Sequence, residues 1–270
     1  MMNFLVLAEE YLGARSICAK HAKSVRALAY RCQHLSTDFV NQYLKTRLES
    51  RSSVTVANER RAILTVWRWA WETGRVEEPP RGVMRVQQRP KPIRAWTIGE
   101  LSKIASDAED APTVRMRCGC TRNEFLRCWI LLGYETGARW GDLWKMHERD
   151  LSGNVIRWQT NKTGACQHRP LTDTCMEAVN RMLAKSPDGR ILGWVCNKRY
   201  AMALMKRHLE SCGLDGSSKW LRRSGATHVE QFNPGKAKVF LGHRSPGMAD
   251  RHYIDHSQLR RDDVVVPGLR

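Results

Sequence analysis

The chain has 270 residues, 42% of them hydrophobic, and its 45 lysines and arginines against 27 acidic residues give a formal charge of +18. It is long and apolar enough for a packed core, which excludes a disordered chain, and the cationic excess makes a polyanion the default partner. No apolar run approaches the ~20 residues that span a bilayer, so no membrane partner is expected. The opening MMNFLVLAEEYLGA has a short apolar patch, Glu9 and Glu10 close behind, and no basic leader, so it does not read as a signal peptide.

Two helical stretches dominate the first eighty residues. Val25, Leu28, Ala29 and Cys32 recur at helical spacing in KSVRALAYRCQHL, as do Ala62, Ile63, Val66, Trp67 and Ala70 further on, with Gly74 suited to a helix stop. Their basic residues lie off the apolar stripes, on faces that are either solvated or laid against phosphates. Residues 77–94, with four prolines and five basic residues, read as an extended linker. Thr97 and Glu100 match a capping box before Leu101, Ile104, Ala105 and Ala108. The expected division is a helical domain over 1–82, a linker over 83–96 and a second domain over 97–270. The second domain is mainly helical, interrupted by GNVIRWQTNKTGACQHRPLT, whose alternation around a Lys-Thr-Gly turn predicts a β-hairpin. Nine irregularly spaced cysteines fit a reducing cytoplasm better than a disulfide framework, and Cys118-x-Cys120 lacks a second ligand pair at zinc-like spacing.

Four short stretches of the second domain carry chemistry. ETGARWGDLWKM breaks a helix at Thr136-Gly137, opens the next with Arg139 and places Asp142 one turn on. Lys162 stands at the hairpin turn. SKWLRRSGATHV spaces Lys219 and Arg222 i, i+3, and FLGHRSPGMADRHYIDH contains His243 and Tyr253. Singly these are weak. Arg139 with Asp142 is more often a helix-surface ion pair, Lys162 a solvated turn residue, His243 a cap or satisfied core histidine, and Tyr253 a packing aromatic. Jointly, order and spacing resemble the tyrosine recombinase (phage integrase) family: Arg after a Thr-Gly break, an acid, a hairpin Lys, His-x-x-Arg, Leu-Gly-His and Tyr.

The resemblance covers essentially the whole chain. It implies a mainly α fold: an N-terminal helical core-binding (SAM-like) domain and an α-helical catalytic domain with a small antiparallel β-sheet, closing as a C-shaped clamp on duplex DNA. It also implies site-specific DNA recombination through a 3′-phosphotyrosyl bond, with Tyr253 as nucleophile, Arg139 and Arg222 forked onto the phosphate oxygens, and Lys162 protonating the leaving 5′ oxygen. His243 would donate to the phosphate and Asp142 would orient the arginines. No cofactor and no metal is implied, since cationic side chains supply the charge a metal would bring. The implied partners are double-stranded DNA and three further copies of the chain, a homotetramer on paired DNA sites passing through a Holliday junction and a monomer away from DNA. The implied location is the cytoplasm, at the nucleoid of a prokaryote or its phage. One position departs: Lys219 stands where the family usually has His. An ordinary ammonium titrates near 10.4 and stays a fixed cation, which puts general-base duty there in doubt. A type IB topoisomerase and a non-catalytic DNA-binding protein of the same fold are the rivals. No additional N-terminal arm-binding domain is visible, which leans toward a simple recombinase. Val264–Val266 are expected to pack as a strand or plug on a neighbouring copy.

Overall fold

Asn3, Ser36 and Ser52 each accept a hydrogen bond from a free N–H of the helix that follows, so three of the four helices of the first unit, Met1–Lys91, begin on a side-chain cap. The computed structural model describes residues 3–88, 92–111, 113–243 and 247–259. The helices of this unit are α1 (Phe4–Ala14), α2 (Ala19–Arg31), α3 (Thr37–Ser50) and α4 (Ser53–Glu72). Their core is formed by Phe4, Leu28, Val40, Leu44, Ile63 and Val66, all buried.

The periodicity predicts α2 and α4; α1 and α3 are additions. Trp69 joins Trp67 in the core, with Tyr11 edge-on to it at 5.5 Å, whereas Trp71 is exposed. The proline-rich stretch is not a free spacer over its first part. Trp67 Nε1 donates to Glu78 O at 3.1 Å, Arg60 Nε to Met84 O at 2.6 Å, and Met84 N to Asn41 Oδ1 at 2.8 Å. Side chains on α3 and α4 therefore satisfy backbone groups of a segment that forms no helix or strand of its own.

The second unit, Pro92–Arg270, starts its packing before Thr97. Trp96 is buried, its backbone N–H donating to Ser224 Oγ at 2.8 Å and its indole N–H to Asp215 O at 2.9 Å. The Thr97/Glu100 capping box opens α5 (Ile98–Asp110), and a second box, Thr121/Glu124, opens α6 (Arg122–Thr136). Helix α6 is the hub. Phe125, Cys128, Trp129, Ile130 and Leu132 bury it on nearly every side.

α6 stops at Gly137, whose φ of 57° is left-handed, and α7 (Trp140–Leu143) follows. Strands β1 (Leu151–Ser152), β2 (Val155–Gln159) and β3 (Cys166–Pro170) form an antiparallel sheet in that order, with Arg157 opposite His168. The expected hairpin is β2–β3; β1 adds a short third strand. Helices α8 (Asp173–Leu183), α9 (Lys198–Ser211), α10 (Ser218–Phe232), α11 (Ala237–Leu241) and α12 (Met248–His252) complete the unit.

The expected class, mainly α with a small antiparallel sheet, is the observed one. Two glycines let α10 approach α6. A Cβ at Gly225 would stand 2.6 Å from Tyr134 O, and one at Gly133 would stand 2.9 Å from Leu221 Cδ1. Close approach of α10 sets the depth of Arg222, one turn before Gly225. Among the described residues no helix is long and apolar enough to cross a membrane. The expectation for Val264–Val266 lies outside the described residues.

Candidate active site

The break at Gly137 lets the chain turn so that Arg139 becomes the N-cap residue of α7. Residues Lys219, Arg222 and Arg223 come from the first turns of α10, and Tyr253 closes α12. These side chains meet on one cavity of about 520 Å³, lined by Arg139, Lys219, Arg222, Arg223, His252 and Tyr253 with Trp140 and Ser218 behind them. Among the described residues no carboxylate lines it. A concave surface with four cations and no acid favours an anion.

Arg222 is the centre. It is only 7% exposed, and one terminal nitrogen donates to Gly137 O while the other donates to Leu241 O at 2.8 Å. It therefore fixes both the break after α6 and the end of α11. Its Cζ lies 5.0 Å from the centre of the Tyr253 ring, and His243 stands 5.0 Å from that ring, centre to centre. Burial pulls the guanidinium down to about 10. Arg139 adds to that fall, while Tyr253 and Asp142 work against it.

Gly242, at φ 64°, ends α11 and aims His243 at Arg222. Arg222 Nη2 lies 3.3 Å from His243 Nε2. A guanidinium only donates, so Nε2 accepts and a neutral ring carries its proton on Nδ1. That Nδ1 is buried and has no partner among the described residues. His243 itself is not among the residues lining the cavity; it stands behind Arg222 and Tyr253. Burial pushes this imidazole down to about 4, with Arg222, Arg139, His252 and Lys162 adding to the effect. Neutral His243 is bound in the folded state while the unfolded ring protonates near 6.5, so stability is full above that pH and falls as pH drops toward 4. We expect a loss on the order of 1 kcal/mol, discounted for partial exposure. Thermal melting of wild type and His243→Gln between pH 7 and pH 4 checks it, the variant showing the shallower fall.

Lys162 is exposed on the β2–β3 turn and is not among the residues lining the cavity, although its charge reaches His243. Asp142 acts on Arg222 through its charge, which works against the fall of the guanidinium. Among the described residues it forms no ion pair with either arginine. Its Oδ1 accepts from Asn161 N at 2.9 Å and Asn161 Nδ2 at 2.6 Å, on the turn that carries Lys162. The reason is burial: at 4% exposure the carboxylate faces inward to the turn rather than out to the cavity.

Sequence reasoning did not single out His252, Asn161 or Arg223. Their signals are adjacency to Tyr253, Lys162 and Arg222. Asp255, beside the tyrosine in sequence, serves the fold. Its Oδ2 accepts from Ala95 N at 3.0 Å and its N–H donates to Thr227 Oγ1 at 3.0 Å, tying the segment after Tyr253 to α10. Arg169 on β3 donates to Val239 O at 2.9 Å and to Phe240 O, capping α11 and linking the sheet to the His243 arm. Cys118 and Cys120 place their sulfurs 3.4 Å apart, and the described residues hold no cluster of three metal-ligating side chains.

A scan against protein-family models finds no match, and neither does a search of curated proteins. Among solved structures the chain is similar to a lambda integrase dimer bound to a COC′ core site, at 20% identity over 95% of this chain and 97% of that one, with a TM-score of 0.78. It is similar to the Tn1549 transposon integrase in complex with circular intermediate DNA, at 12% identity over 93% and 95%, with a TM-score of 0.74. A lambda integrase tetramer bound to a Holliday junction aligns at 20% identity over 91% and 77%, with a TM-score of 0.73. The chain has the integrase fold.

Proposed function

We propose that this protein is a site-specific DNA recombinase that cleaves and rejoins strands through a 3′-phosphotyrosyl intermediate. The observation that carries the reading is the shared cavity, which sets a tyrosine beside Arg139, Lys219 and Arg222. Arg139 and Arg222 take the non-bridging oxygens of one phosphate, where charge builds in the pentacoordinate transition state. His243 adds a further hydrogen bond to the phosphate. Tyr253, its phenol proton lost to solvent, attacks phosphorus as phenolate, the bond to the 5′ oxygen breaks, and Lys162 gives that oxygen its proton. Lys219 serves as a fixed cation that favours phenolate. The phosphotyrosyl bond keeps the phosphodiester's energy, so rejoining by a 5′ hydroxyl needs no nucleotide cofactor. Duplex DNA is the partner and four copies on two sites the working assembly, as in the tetrameric lambda integrase on its junction.

The test is covalent trapping on a pool of nicked duplexes of random sequence, followed by two-site reactions on the sequences retained. The expected result is an SDS-stable adduct at Tyr253 and joined products from two sites. An adduct with supercoil relaxation but no joined product overturns the recombinase in favour of a topoisomerase, and retained DNA without adduct leaves only a binding protein.

A further inference from the structure

The Lys162 turn is fastened to α7 through one residue, Asn161. Its backbone N–H donates to Asp142 Oδ1 at 2.9 Å. Its side-chain nitrogen donates to the same oxygen at 2.6 Å and to Gly141 O at 3.0 Å. Its side-chain oxygen accepts from Lys145 Nζ at 2.6 Å. Every bond runs to the segment 141–145, which Arg139 opens. The partners fix the amide's orientation, because an ammonium only donates and a carbonyl only accepts.

The other hydrogen bonds of the turn, among the described residues, stay within the hairpin. Thr160 N donates to Ala165 O at 2.9 Å, Gly164 N to Thr160 O at 2.9 Å, and the Thr160 and Thr163 hydroxyls pair at 2.8 Å. These shape the turn without placing it. Placement against α7 falls to Asn161 and the buried carboxylate it meets. The neighbouring side chain along the turn is Lys162.

We propose that Asn161 is a positioning residue for proton transfer: by clasping Asp142, Gly141 and Lys145 it sets where the Lys162 ammonium stands relative to a phosphate held by Arg139 and Arg222. The inference rests on the reading of Lys162 as the proton donor. In that step the Tyr253 phenolate oxygen bonds to phosphorus, the 5′ oxygen leaves with the electron pair, and the ammonium proton moves to it, leaving a neutral amine. Asparagine suits the role chemically. Alanine removes all three side-chain bonds, and aspartate would turn a second carboxylate onto Asp142.

The proposal is tested by single-turnover cleavage of a trapped nicked duplex whose scissile 5′ bridging atom is either oxygen or sulfur. A thiolate is a far weaker base than an alkoxide and leaves without a proton, so the sulfur substrate bypasses the acid. Asn161→Ala is expected to slow oxygen-substrate cleavage on the order of 10²-fold. On the sulfur substrate it should cleave close to the wild-type rate, and Lys162→Ala should follow the same pattern. Asn161→Asp, with nearly the same volume, should behave alike, and melting curves show whether either variant is folded. Equal slowing on both substrates, or no slowing on oxygen, overturns the positioning role. Rescue of Lys162→Ala without rescue of the Asn161 variants overturns it while leaving the donor in place. Failure of sulfur to rescue Lys162→Ala overturns the donor assignment itself, and the inference about Asn161 falls with it.

Discussion

Tyr253→Phe is expected to lose the covalent protein–DNA adduct entirely while binding DNA and melting as wild type does. The ring is what the fold uses. It packs 5.0 Å from His243 and 5.0 Å from the Arg222 guanidinium carbon, and the segment behind it is held by buried Ile254 and Asp255. Phenylalanine keeps that ring and removes one oxygen, so the cationic cavity and the core beneath it persist. Tyr253 is the one phenol among the described residues lining the cavity. Tyr134, on α6, points its hydroxyl at His228 Nδ1, 3.0 Å away, and Tyr134 is absent from the cavity lining. Denaturing gels after incubation with the trapped nicked duplex, beside a binding titration, make the check. A persistent adduct in the variant would move the nucleophile elsewhere and end the reading of Tyr253.

The site was legible in sequence where residue type and local break coincide. Gly137 and Gly242 announce turns that need φ near 60°, with Arg139 two residues after the first and His243 next after the second, so both breaks mark where the chain redirects a functional side chain. Lys219 and Arg222 share one face of a helix by spacing alone. What could not be read are bonds between a side chain and a distant backbone. Arg169 to the carbonyls of α11 spans some seventy residues, and nothing in CQHRP predicts it. The bonds from Asn161 to Asp142 are a second case: the sheet, not the helix, brings the two together.

In the first unit, α1 was hidden because Phe4 to Ala8 are apolar without a break and show no 3.6-residue period. Helix α3 did carry a signal, Ser36 as cap with Phe39, Val40, Tyr43 and Leu44 behind it. Its longer-range fixing, Glu59 of α4 accepting from Arg47 at 2.8 Å and from Tyr43 at 3.0 Å, was not visible.

Arg222→Ala should separate catalysis from stability more sharply than its burial suggests. Truncation strips Gly137 O and Leu241 O of their donor, and orphaned buried carbonyls cost about 1–3 kcal/mol each. The same change also removes a cation from a cavity shared with Arg139, Lys219 and Arg223. Its guanidinium, brought down to about 10 chiefly by burial, is disfavoured by on the order of 3 kcal/mol relative to solvent. The two effects largely offset, so unfolding free energy should fall by only about 1–3 kcal/mol. Cleavage should fall on the order of 10³-fold, because a donor to the transition-state oxygens is gone. Arg222→Lys retains charge but cannot hold two carbonyls and fork onto a phosphate at once, so its rate should stay far closer to alanine than to arginine. The strained cation also predicts a binding signature. Inorganic sulfate should raise the melting temperature of wild type more than that of Arg222→Ala, since the anion relieves a charge the fold holds out of water. Equal stabilisation of the two proteins by sulfate, with cleavage intact in the lysine variant, would place the phosphate away from Arg222.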